Sequence, residues 1–163
     1  LQCIRLAYDK EKYGPYIEKA VEKLASRGIR RRIILIYLLY NFDDCPESLF
    51  RRVRNVLRLG CVVYPMRFEP LNALERWRYV APGWDAESLE MVEDFRRVYG
   101  YGGTLPPYRW LVEKFEKAES FEEAFTLPRK GEHPKRVKKP YHAKWQREAD
   151  WRKVVEKILA KKW

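Results

Sequence analysis

The chain has 163 residues, 46% hydrophobic and 35% charged, with a formal net charge of +11, enough for one domain with a real core. Its longest apolar run falls short of the roughly 20 residues that span a bilayer, and no signal peptide precedes it, so a cytoplasmic, non-membrane protein is expected. Three cysteines, at positions 3, 45 and 61, are an odd number far apart, which argues against a disulfide framework and for a reducing compartment.

Cys3 to Tyr8 reads as a short strand ending at Asp9. The chain enters it almost at once from Leu1, which suggests an internal start within a longer protein. Pro15 opens a helix with Ile17, Ala20, Val21, Leu24 and Ala25 on one face, closed by Gly28. The next eight residues of interest, Ile33 to Tyr40, are apolar without alternation, as in a strand covered on both faces. Asn41-Phe42-Asp43-Asp44 favours a turn. Pro46 suits a first helical turn, and Asp44 with Glu47 has capping-box spacing. Leu49, Phe50, Val53, Val56 and Leu57 share a helical face that Gly60 ends, and a strand from Cys61 to Tyr64 follows directly. Residues 1–66 are therefore β-α-β-α-β, with parallel strands and right-handed crossovers expected.

Residues 67–84 are irregular. Asp85 is a fitting N-cap for a helix to Tyr99, with Leu89, Val92, Phe95 and Tyr99 inward. Pro106-Pro107 precedes a helix carrying Leu111, Phe115 and Ala118 on one stripe. Ser120 and Glu123 form a second capping box for a short helix ending near Leu127. Residues 128–163 hold 13 Lys/Arg against 4 Asp/Glu, whereas residues 1–127 hold 21 against 19, so the basic character belongs to the C-terminal segment. That segment reads as a basic linker followed by a helix from Ala143 to Trp163. The expected organisation is a β/α portion over 1–84, a helical extension over 85–127, and the basic linker with its terminal helix over 128–163.

Each strand ends in a polar or charged group: Asp9, then Asn41 and Asp43, then Arg67. In parallel α/β folds ligands sit at this carboxyl edge. Three parallel strands also leave open edges, which invite a further segment or a second chain to complete the sheet. No P-loop, Gly-rich dinucleotide turn, HExxH or CxxC is present. Cys3 and Cys61 read as small apolar strand residues, and Cys45 as part of a helix start. His133 and His142 fall in the basic linker. Asp43-Asp44 either binds a cation or acts as an acid–base pair, or only makes the turn and cap. Arg76-Trp77-Arg78 either stacks on a base or covers the open sheet. The C-terminal segment, with Tyr141, Trp145, Trp151 and Trp163 among its basic residues, has the composition of a nucleic-acid contact or of an amphipathic docking helix.

The succession IRLAYD, IILIYLLYNFDDCPESLFRRVRNVLRLG and CVVYPMRFEPLNAL resembles the second half of radical S-adenosylmethionine enzymes. YVAPGW and RRVYGYGGTLPPYRWL extend the likeness, which covers roughly residues 1–127. In that family a six-stranded partial (β/α) barrel carries a [4Fe–4S] cluster on a C-x3-C-x2-C loop after its first strand. The resemblance implies that the strands here are the fourth, fifth and sixth. NFDDCPES then occupies the slot of a Gly-rich turn after the fifth. It further implies that Asp9 faces the nucleoside of S-adenosylmethionine and that Asn41 lies near its ribose or adenine, with Asp43 on the same edge. Met66 and Arg67 would offer backbone contacts to adenine and a charge to the substrate. The cluster cysteines are absent, so the cofactors belong to a parent protein and this chain alone is expected to be inactive. Its partner would be the missing N-terminal half of the barrel or a second chain. An expectation of another class is a non-enzymatic module whose residues 129–163 hold nucleic acid or an anionic partner.

Overall fold

A computed structural model describes residues 3–127; the basic linker and terminal helix expected over 128–163 lie outside them. Strand β1 (Ile4–Ala7) leads through a single 3-10 turn, Glu11–Tyr13, into helix α1 (Gly14–Ala25). Strand β2 (Ile34–Tyr40), helix α2 (Pro46–Arg58) and strand β3 (Val62–Arg67) complete the β-α-β-α-β unit. Helices α3 (Ala86–Tyr99), α4 (Arg109–Lys117) and α5 (Phe121–Phe125) follow. The three strands form one parallel sheet in the order β1-β2-β3, pairing Ile4 with Ile34, Ile36 with Val63 and Tyr37 with Tyr64. The protein is an α/β fold.

Both crossover helices end alike. Gly28 and Gly60 take positive φ, +84° and +75°, and the next amide reaches back to a helix carbonyl: Ile29 N to Leu24 O, Cys61 N to Val56 O. This left-handed stop turns the chain sharply, so that the buried Ile29 and Cys61 follow directly. Two of the expected caps form: Asp85 accepts from Ser88 N at 2.7 Å, and Ser120 from Glu123 N at 3.2 Å. The third does not. Cys45, not Asp44, is the N-cap of α2 and makes no side-chain cap bond. Glu47 instead accepts from Phe121 N at 2.7 Å, fixing the start of α5.

Strand β2 does not meet the expectation of cover on both faces. Ile34, Ile36, Leu38 and Tyr40 are buried, while Leu35, Tyr37 and Leu39 are only half-buried. The buried set faces the helices, where each aliphatic side chain contributes about 1.5–3 kcal/mol. Helices α1 and α2 lie together on that side: a Cβ at Gly14 would meet Asn55 Nδ2 at 3.5 Å, and Arg58 reaches Glu18 at 3.9 Å. A ring cluster seats the later helices there too, with Phe50 6.1 Å from Phe115 and Phe95 5.2 Å from Phe125. The opposite face carries Leu35, Tyr37, Leu39, Val62, Tyr64 and Met66; Val62 is buried there, and Arg96 of α3 lies over the Tyr64 ring, 5.7 Å from its centre. Unbroken apolar identity hid this alternation.

The two sheet edges differ. Val63 N donates to Leu105 O at 3.0 Å and Leu105 N to Val63 O at 2.8 Å, so the outer edge of β3 is capped by one antiparallel bridge. The next backbone N–H in that direction falls at Pro65, which has none, so the edge accepts no further ladder there. The outer edge of β1 has no partner strand among the described residues.

Candidate functional site at the carboxyl edge of the sheet

Beneath the carboxyl edge lies Arg52, fully buried in the apolar stripe of α2. Its guanidinium donates to Tyr8 O at 3.1 Å and Leu39 O at 2.9 Å, the carbonyls that end β1 and β2. It also donates to Ser48 O at 3.3 Å and to Asp44 Oδ2 at 2.5 Å. The other oxygen of Asp44 accepts from Trp84 Nε1 at 2.8 Å and Phe42 N at 3.2 Å. Burial dominates both groups, lifting the Asp44 carboxyl above its ordinary value and lowering Arg52. Reading from the sequence missed Arg52; the available signal was a charged residue between Leu49 and Val56 on an otherwise apolar face.

The pair Asp43-Asp44 is split. Asp43 turns outward to Lys10 at 2.7 Å, which holds its carboxyl below the usual range, while Asp44 turns inward to Arg52. The two carboxylates therefore serve separate ion pairs. Asp9 is exposed and accepts from Leu39 N at 3.2 Å through one oxygen. A cleft of about 210 Å³ opens here, lined by Asp9, Lys10, Tyr13, Leu39, Phe42 and the two aspartates. Asp9 and Asp43 thus line one cleft, each with one described side-chain partner.

Asn41 and Arg67 both bind the segment that follows β3. Asn41 is buried with φ +63°, a left-handed turn residue that its short polar side chain tolerates. Its amide donates to Phe68 O at 3.2 Å and Tyr79 O at 3.0 Å and accepts from Ala81 N at 2.8 Å. Arg67 donates to Trp77 O at 3.2 Å and Tyr79 O at 3.0 Å, and its Nε lies 3.5 Å from Glu69. Both side chains are thus spent on binding the irregular segment 68–84 to the sheet. Met66 is exposed, on the same sheet face as Leu39 and Tyr64. The structure brings Asp9 and Asp43 into one cleft and leaves Asn41, Met66 and Arg67 outside its lining.

Above that segment runs an aromatic chain: Phe42 to Phe68 at 4.6 Å, then Phe68 to Tyr79 at 5.7 Å. At the back of the edge, Tyr40 donates to Glu93 of α3, which Arg96 also grips at 3.2 Å. A second cleft, of about 220 Å³, lies between α2 and the stretch Tyr8 to Glu11, but its arginines are occupied: Arg51 with Glu11, Arg54 over Phe50, Arg58 near Glu18. Cys3, Cys45 and Cys61 are free thiols, and burial pushes Cys61 up to about 12, so it stays protonated. Among the described residues no three His, Cys, Asp or Glu side chains are placed to hold a metal ion, and no helix is long and apolar enough to cross a membrane. No protein-family model, curated protein or solved structure gives a significant match to the chain.

Proposed function

We propose that this chain is the C-terminal half of a radical S-adenosylmethionine enzyme, forming the nucleoside and substrate side of its barrel. The carrying observation is one-sided cover. A doubly wound sheet has helices on both faces, whereas in a (β/α) barrel the helices lie outside and the other strand face lines the interior. Here α1 and α2 share one side, and Leu35, Tyr37, Leu39, Tyr64 and Met66 line the other. The edges add a direction. β3 is closed by Leu105 and Pro65, so added strands belong beside β1, the side on which preceding strands of a parallel barrel fall.

The residues at hand do not fit the iron–sulfur cluster. Cysteines at 3, 45 and 61 are no C-x3-C-x2-C, and one is a buried, protonated thiol. The cluster, which in the family supplies the electron that cleaves S-adenosylmethionine, would come from the preceding part of a parent protein. What this chain offers is a cleft with two carboxylates, from Asp9 and Asp43, suited to ribose hydroxyls. Asn41 and Arg67 act by positioning the segment beside it.

The test is the parent reading frame. Expressed with the residues that precede Leu1, reconstituted anaerobically with iron and sulfide and then reduced, it should release 5′-deoxyadenosine from S-adenosylmethionine. Asp9→Ala in that parent should weaken nucleoside binding. A parent without three clustered cysteines, or one that reconstitutes and never cleaves the sulfonium, ends this reading.

A further inference from the structure

None of Arg76, Trp77 and Arg78 belongs to the buried core. Trp77 has φ +68°, in the left-handed region that bulky side chains avoid. Arg67 imposes it twice over: Nη2 holds the Trp77 carbonyl at 3.2 Å, and the guanidinium lies 5.4 Å from the indole centre. Arg67 is itself tied down by Tyr79 O at 3.0 Å. The outcome is an indole with one face on an anchored cation and 57% of its surface exposed. A tryptophan that merely covered the sheet would be buried, with its ring N–H bonded, as Trp84 is. Beside it, Arg76 makes no ion pair among the described residues, and Arg78 meets only the exposed Glu75.

We propose that Trp77 is a stacking platform for a base of single-stranded nucleic acid, with Arg76 meeting the adjoining phosphate. The free indole face is flat and held rigid, which is what sequence-tolerant stacking requires. The chain's net charge of +11, most of it in residues 128–163, draws a polyanion to the protein. Leu71 and Leu74 project fully exposed from the same segment and are what a protein partner would grip instead. Neither has positive φ or an anchoring cation; of the three, only Trp77 has both. The platform needs no iron–sulfur cluster, so it stands apart from the barrel reading.

The experiment titrates the full chain into fluorescein-labelled oligouridine of about a dozen nucleotides and into an abasic strand of equal length, reading anisotropy at two salt concentrations. The intact chain should bind the base-bearing strand about tenfold or more tighter than the abasic one. Trp77→Ala should erase that difference, leaving phosphate-driven affinity for both strands. Arg76→Gln should weaken both and reduce the salt slope by about 0.7. The double variant Leu71→Ser/Leu74→Ser should leave both affinities unchanged and serves, with circular dichroism, as the folding control. No preference for bases in the intact chain, or a preference that survives Trp77→Ala, overturns the proposal. Loss of binding in the leucine variant alone does so too.

Discussion

Replacing Arg52 with methionine keeps most of the side-chain volume in the α2 stripe and removes the charge. Asp44, only 4% exposed, then keeps its carboxylate without a counter-ion, and the carbonyls of Tyr8 and Leu39 lose their donor. Breaking a buried pair from one side costs about 3–5 kcal/mol. An orphaned carbonyl costs about 1–3 kcal/mol more where water cannot reach it. A loss of about 4 kcal/mol is expected, a large share of the roughly 5–15 kcal/mol that holds a typical domain. The deficit should also depend on pH. Burial already lifts the folded-state value of Asp44, and losing the guanidinium lifts it further, while the unfolded value is unchanged. With a folded value above the unfolded one, stability falls as pH rises through that window. The variant's deficit should therefore be greater at pH 8 than at pH 4.5, because the carboxyl takes up its proton as pH falls. Urea unfolding followed by tryptophan fluorescence at both pH values measures it. A loss below about 1 kcal/mol, or one independent of pH, would refute the claim that this arginine neutralises Asp44 and fastens two strand ends.

Asn41→Ala should cost about 3 kcal/mol by orphaning Ala81 N and the Phe68 and Tyr79 carbonyls, and limited proteolysis should then cut within 68–84 before the rest unfolds. Gly100→Ala should lower stability by more than about 3 kcal/mol, because its Cβ would stand 2.1 Å from Arg96 O, whereas Gly102→Ala, with open space and φ +55°, should lose only about 1 kcal/mol in thermal melts. Trp77→Gly should be more stable than Trp77→Ala by about 1 kcal/mol in matched urea titrations, since only the alanine retains the left-handed penalty. Equal stabilities would show that φ relaxes on substitution.

Local chemistry made the skeleton legible. Helix periodicity, Gly28 and Gly60 as stops, and Asp85 and Ser120 as caps are decided within a turn or two of each residue. Strand β3 was read three residues short, because Pro65 looks like a stop until its missing N–H is seen to point outward on an edge. Asp44 looked like a cap because its partner Trp84 lies 40 residues ahead, and no local rule foresees that bond. Asn41 and Arg67 were rightly placed at strand ends, but the segment 68–84 that folds back onto their polar atoms carries no periodicity from which its path could be inferred. One-sided cover was illegible for a plainer reason: Leu35, Tyr37 and Leu39 are as apolar as Ile34, Ile36 and Leu38, so composition could not tell a filled face from an open one.

The unequal sheet edges bear on how copies of the protein associate when concentrated. Fibres grow by edge addition only if each unit offers two adhesive strands, one to receive and one to present. Among the described residues this sheet offers one, at β1, because Leu105 and Pro65 occupy the other end. Among the described residues, pairing with a further strand is therefore open at the β1 edge and restricted at the β3 edge.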